Sequence, residues 1–152
     1  MRKKYDKISV TKRFTFESCH CLDNPNWDRE KNIKIFGKCS KYKEDGFIEE
    51  HGHSYKMEVT VAGEPDSETG FLINFVNLKD IVKSDIIEKL DHRNLNNVIP
   101  VEYHPITVEN MLKWIVEDTP LYNDIYVASD KRASIISIKI WETEDSFAEI
   151  TL

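Results

Sequence analysis

No stretch of about 18 apolar residues occurs in this chain, so the sequence predicts no membrane-spanning helix. A basic excess is missing too. Acidic residues outnumber basic ones 27 to 21, for a formal net charge of −6, which argues against non-specific nucleic-acid binding. The first residues, Met1 to Asp6, carry Arg2, Lys3 and Lys4, but no apolar segment follows them, so no secretory signal is expected. Cysteine is scarce and odd in number. Three thiols do not make a closed disulfide set, and reduced thiols in the cytoplasm are the expectation. Internal repeats and low-complexity linkers are absent. Histidine is rare: the five stand at positions 20, 51, 53, 92 and 104.

What is present suits one globular domain over residues 1–152, with 40% apolar and 32% charged residues. Residues 7–20 alternate as a strand, with Ile8, Val10, Phe14 and Phe16 as apolar members. Residues 21–50 hold Pro25, Gly37, Gly46 and many charges, and read as a long functional loop with a short helix near 28–36. Residues 53–63 return as a strand. The turn residues of Gly63 to Gly70 imply a hairpin into Phe71-Leu72-Ile73. A helical period follows over 75–90, with Asn74 as a candidate N-cap, and Thr107 can cap a second helix over 108–118. Residues 119–132 read as a loop, Ala133–Glu142 as a β-branched strand and Phe147–Leu152 as a short last strand. The order β-β-α-α-β-β is an α+β plan: an antiparallel four-stranded sheet with two helices.

The chemistry concentrates in His51-Gly52-His53-Ser54-Tyr55. Residues i and i+2 of a strand share a face, so both imidazoles can reach one point, and the intervening glycine keeps the other face clear. Two such imidazoles are half of a zinc site. His20, at the end of the first strand, is the candidate third ligand if the two strands pair with their histidines at one end of the sheet. Three neutral histidines with an open fourth position describe a catalytic zinc. The competing reading is a pair of ordinary surface or core histidines.

Seven short pieces then fall in a recognisable order: Phe16-x-x-x-His20, Asn32-Ile33-Lys34-Ile35-Phe36-Gly37-Lys38-Cys39, His51-Gly52-His53-Ser54-Tyr55, Gly70-Phe71-Leu72-Ile73-Asn74-Phe75, Leu90-Asp91-His92-Arg93-Asn94-Leu95, Thr107-Val108-Glu109-Asn110 and Trp141-Glu142-Thr143. In these the chain resembles the 6-pyruvoyl-tetrahydropterin synthase / 6-carboxytetrahydropterin synthase family, from about Phe14 to Glu142. The resemblance implies the tunnelling fold, in which sheets of three subunits join into a barrel, two trimers stack into a homohexamer, and active sites lie between subunits.

It also implies roles. His20, His51 and His53 would hold Zn2+. Cys39 would be a thiolate base, against the alternative of a small buried hydrophobe. Asp91 would orient His92, which exchanges protons with substrate or with Cys39; a histidine at a helix C-terminus is the plainer reading. Glu142 would anchor the N–H edge of a pterin, and Thr107 is either a helix cap or a second pterin contact. The implied reaction is zinc-dependent lysis of 7,8-dihydroneopterin triphosphate to 6-pyruvoyl-tetrahydropterin with loss of triphosphate. The 6-carboxy product and side-chain cleavage to 6-hydroxymethyl-dihydropterin use related sites. A zinc- and pterin-binding protein without turnover is the alternative from another class. One departure from the family stands out. Cys39 lies twelve residues before His51, where family members carry a short spacer. The charged insertion 40–50 is expected to place Glu49 and Glu50 beside the metal, as candidate replacement bases.

Overall fold

The computed structural model describes Tyr5 and residues 7–152. The elements run β1 (Ile8–His20), α1 (Arg29–Phe36), β2 (His51–Gly63), α2 (Phe75–Val82), a π turn (Lys83–Ile87), α3 (Glu88–Leu90), β3 (Arg93–Asn94), α4 (Leu95–Val98), α5 (Val108–Asp118), α6 (Leu121–Ala128), β4 (Ala133–Thr143) and β5 (Ser146–Thr151). They form one sheet in the order β3-β1-β2-β4-β5. The four long strands are antiparallel, as the sequence predicts, and the two-residue β3 adds a parallel fifth beside β1.

Alternation decides which face of the sheet is covered. Tyr55, Met57, Val59 and Val61 are fully buried and point into the core, with Phe16 beside them. The intervening residues point the other way and make polar cross-strand pairs. Thr11 bonds Thr60 through their hydroxyls at 2.8 Å, and Arg13 pairs with Glu58 at 2.6 Å. One face is therefore a core and the other a polar ladder, the usual division in antiparallel sheets. The helices supply the second layer: α2 buries Leu78 and Val82, and α5 buries Met111, Leu112, Trp114 and Ile115. Asn74 and Thr107 both cap as expected, accepting from the backbone N–H of Val76 and Asn110.

Three expectations need correction. The segment 119–132 is not a loop, because α6 occupies Leu121–Ala128. Its Pro, Asn and Asp residues read as turn formers, but Leu121 and Ile125, one helical turn apart, are both buried, and that burial overrides weak propensity. Phe71-Leu72-Ile73 is not a strand. Both edges of β2 are already taken by β1 and β4, so no position beside it is left for a further strand. The chain turns there instead, with the Gly70 N–H on Asp66 O at 2.9 Å. The helical run 75–90 is not a uniform α-helix, because a π turn at Lys83–Ile87 separates α2 from α3. The short helix near 28–36 is observed as α1, with Asp28 accepting from the Lys31 N–H at 2.8 Å.

Candidate metal centre

Strand register builds the centre. β1 and β2 pair so that His20 stands directly opposite His51, and Ser18 opposite His53. All three imidazoles thus lie on the core face at one end of the sheet, continuing the column of Phe16 and Tyr55. The Tyr55 ring stacks on Phe16 at 4.9 Å and packs edge-to-face with His20 and His53. One ligand nitrogen from each of His20, His51 and His53 lies within 4.8 Å of the others.

The tautomer of His20 is set by its neighbour. Its Nδ1 lies 2.8 Å from the carbonyl oxygen of Ile106, which can only accept, so Nδ1 carries the proton and Nε2 presents a bare lone pair. Nε2 of His20 and Nε2 of His53 are buried and have no hydrogen-bond partner. Buried polar atoms are nearly always satisfied, so a cluster of orphaned imidazole nitrogens fits a bound cation. Burial, reinforced by the neighbouring His51, pulls the His20 pKa down to about 4, and burial lowers that of His51 as well. Both rings are therefore neutral at physiological pH, the protonation state a metal requires.

Glu142 follows Ile138 and Ile140 on the core face of β4, one position beyond the Lys56–Trp141 pair. Its Oε1 lies 3.3 Å from His20 Nε2 and 3.6 Å from His53 Nε2. Neither approach is aligned as a hydrogen bond, since both nitrogens remain unpartnered. Beside it opens a cavity of about 270 Å³ lined by Glu142, Thr107, Val108, Glu109, Leu22 and Phe147. Thr107 therefore caps α5 and also faces the cavity. Glu109 is a lining carboxylate that sequence reasoning missed. Its signal was present, two residues after a cap at a helix start, but a first-turn Glu reads as a partner of the helix dipole.

Asp91 and His92 lie elsewhere. Asp91 Oδ2 sits 3.0 Å from His92 Nδ1, and its Oδ1 accepts from the Glu17 N–H at 2.9 Å. These bonds, led by the Glu17 amide, hold the Asp91 carboxyl below the usual carboxylate range. His92 adopts a left-handed backbone with φ of 56°. It borders a second cavity of about 510 Å³ with Glu17, Cys19, Gly52 and Ser54, and its side chain is 79% exposed. Gly52 and His53 both line this cavity.

Cys39 sits half-buried on the 3-10 turn Gly37–Ser40, where its carbonyl accepts from the Leu22 N–H at 2.8 Å. Among the described residues its sulfur has no hydrogen-bond partner. The insertion folds as a small hairpin, bridged at Tyr42 and Ile48. It does not bring its glutamates to the histidines, and that expectation is corrected. Glu49 is exposed and paired with Lys41 at 3.0 Å. Glu50, one residue before His51, falls on the opposite side and accepts from the Asn94 amide at 2.6 Å. Its cavity is shared with Cys21, whose buried thiol is pushed up to about 11.

A three-histidine cluster able to hold a metal ion, set on the core face at the end of a helix-backed antiparallel sheet, defines a protein of the tunnelling-fold class. The family sequence model for 6-pyruvoyl tetrahydropterin synthase matches residues 9–152. A 6-pyruvoyl tetrahydrobiopterin synthase of Drosophila melanogaster is 34% identical over 137 residues, covering 88% of this chain and 73% of that protein. A protein of the same name from Homo sapiens is 32% identical over 141 residues, covering 92% of this chain and 88% of its own length. The solved 6-pyruvoyl tetrahydropterin synthase of Caenorhabditis elegans superposes with a TM-score of 0.75 at 19% identity, with 99% of both chains covered, so the fold is shared. The chain belongs to the 6-pyruvoyl tetrahydropterin synthase family. Among the described residues no helix is long and apolar enough to cross a membrane.

Proposed function

We propose that this chain is a zinc-dependent lyase that converts 7,8-dihydroneopterin triphosphate to 6-pyruvoyl-tetrahydropterin with release of triphosphate. The reading rests on one observation: orphaned imidazole nitrogens gathered beside a cavity whose rim carries the Glu142 carboxylate. His20, His51 and His53 hold the zinc, which when bound polarises the substrate's two side-chain hydroxyls. Glu142 accepts from the N–H edge of the pterin ring, an arrangement that suits a carboxylate. Thr107 lines the same cavity and fixes the helix start behind the ring.

Cys39 takes the proton that moves between side chain and ring, and triphosphate then leaves by elimination. Asp91 orients His92 as the second proton carrier. The dyad borders a cavity that includes His53 but not Glu142, with His92 exposed and Asp91 half-buried. This arrangement supports a role in the site of a neighbouring copy, within a homohexamer built from two trimers. Sheet edges favour that assembly: β5 is a free edge, and ring closure removes such edges.

Product analysis with 7,8-dihydroneopterin triphosphate tests the reading. Equimolar triphosphate and 6-pyruvoyl-tetrahydropterin are expected. Acetaldehyde release would reassign the chain to the 6-carboxy branch, and 6-hydroxymethyl-dihydropterin to the side-chain-cleaving branch. Tight pterin binding with no product would make it a binding protein.

A further inference from the structure

The contact between Glu142 and the histidines is chemically odd. His20 spends its proton on Ile106, so a lone pair of Nε2 faces a carboxylate oxygen 3.3 Å away. The Nε2 of His53, also unpartnered, stands 3.6 Å from the same oxygen. Acceptors of this kind repel one another unless a cation sits between them. The spacing is informative. Donors each about 2.0–2.1 Å from a tetrahedral zinc stand about 3.3 Å apart. The Glu142 oxygen is thus at the separation from His20 that a fourth ligand takes, and at 3.6 Å stands only slightly farther from His53.

The geometry points to Glu142 as the fourth metal ligand of the pterin-free protein, occupying the position that substrate must open. This rests on the function proposed above, in which the same carboxylate grips the pterin ring. One carboxylate cannot accept the ring's N–H pair and close the metal shell together. Pterin binding therefore draws Glu142 off the metal, and the vacated position becomes available to the side-chain hydroxyls. Such an arrangement keeps the open position covered until a pterin fills the cavity of Thr107, Val108 and Glu109. By linkage, whatever pterin costs the metal, the metal costs pterin by the same factor.

Cobalt(II)-exchanged protein tests this, because its visible absorption reports the donor set. Glu142→Ala should shift the band and weaken zinc at least about tenfold in chelator competition, the low end for loss of even an outer partner. Far-UV circular dichroism checks that the variant is folded. The second probe leaves the wild-type chain intact. 6-Methylpterin offers the ring edge but no hydroxyls, so it should move the wild-type band to that of Glu142→Ala and weaken zinc by a similar factor. An unchanged band and affinity in Glu142→Ala would overturn the proposal while His53→Ala still loses metal, leaving the triad intact. A wild-type band indifferent to saturating 6-methylpterin would overturn the exchange. If His53→Ala also kept its metal, the underlying reading would fail as well.

Discussion

The carbonyl oxygen of Ile106 lies 2.8 Å from Nδ1 of His20 and turns that imidazole's free nitrogen toward the cluster. The carbonyl is itself held in place. The Asn110 side-chain amide donates to Pro105 O at 2.8 Å, and the Thr107 N–H donates to the same oxygen at 2.9 Å. Removing the amide in Asn110→Ala should lower zinc affinity about tenfold by loosening the loop behind His20. Stability should fall by about 1 kcal/mol, the usual scale for one hydrogen bond. Chelator competition and thermal melts separate the effects; a stability loss with unchanged zinc affinity would restrict Asn110 to capping the helix.

Metal analysis should find about one zinc per chain. His51→Ala and His53→Ala should each abolish it. His104→Ala should not, because its Nε2 faces the Ile99 carbonyl at 3.1 Å, outside the cluster. Full metal content in both of the first variants would mean that the ligands are misassigned.

Cys39→Ala should keep zinc and pterin binding and lose roughly 100-fold or more in turnover, the scale for a general base. Glu49→Gln and Glu50→Gln should be mild, since one carboxylate pairs with Lys41 and the other with Asn94. Wild-type turnover in Cys39→Ala with either glutamate variant dead would relocate the base to the insertion.

Asp85 is buried in the π turn with Oδ2 unpartnered, and burial raises its pKa above the ordinary carboxylate value. A raised folded-state value means that the folded protein holds the proton more tightly than the unfolded chain. Its contribution to stability is therefore greatest in acid and is lost as pH rises through the ordinary value of about 4 toward the raised one. Asp85→Asn should raise the melting temperature near neutral pH, with a gain that shrinks in acid. A gain independent of pH would dissociate the effect from the buried charge.

Sedimentation should show a hexamer at micromolar concentration. A monomer would remove the neighbouring copy from which the Asp91–His92 pair is proposed to act, and with it the shared site.

Short-range chemistry was legible in the sequence. The alternation of β1 and β2, the caps at Asn74 and Thr107, and the same-face geometry of His51 and His53 depend on residues a few positions apart. Strand and helix periods translate those spacings directly into faces. Where the sequence misled, the deciding contact was remote. α6 exists because Leu121 and Ile125 find a core, and Phe71–Ile73 fails as a strand because β1 and β4 had already flanked β2.

The same division runs through the site. Residue type alone made the histidines candidate ligands, and the His-Gly-His spacing alone put two of them on one face. Only the tertiary structure decided the rest. Register across β1 and β2 set His20 against His51, the 104–107 loop fixed a tautomer from 86 positions away, and β4 carried Glu142 to within 3.3 Å of His20. The turn of Glu50 away from the histidines was also settled there, by the amide of Asn94, a partner 44 residues distant. Distances between segments that meet only in the folded chain follow from packing, and no local spacing encodes them.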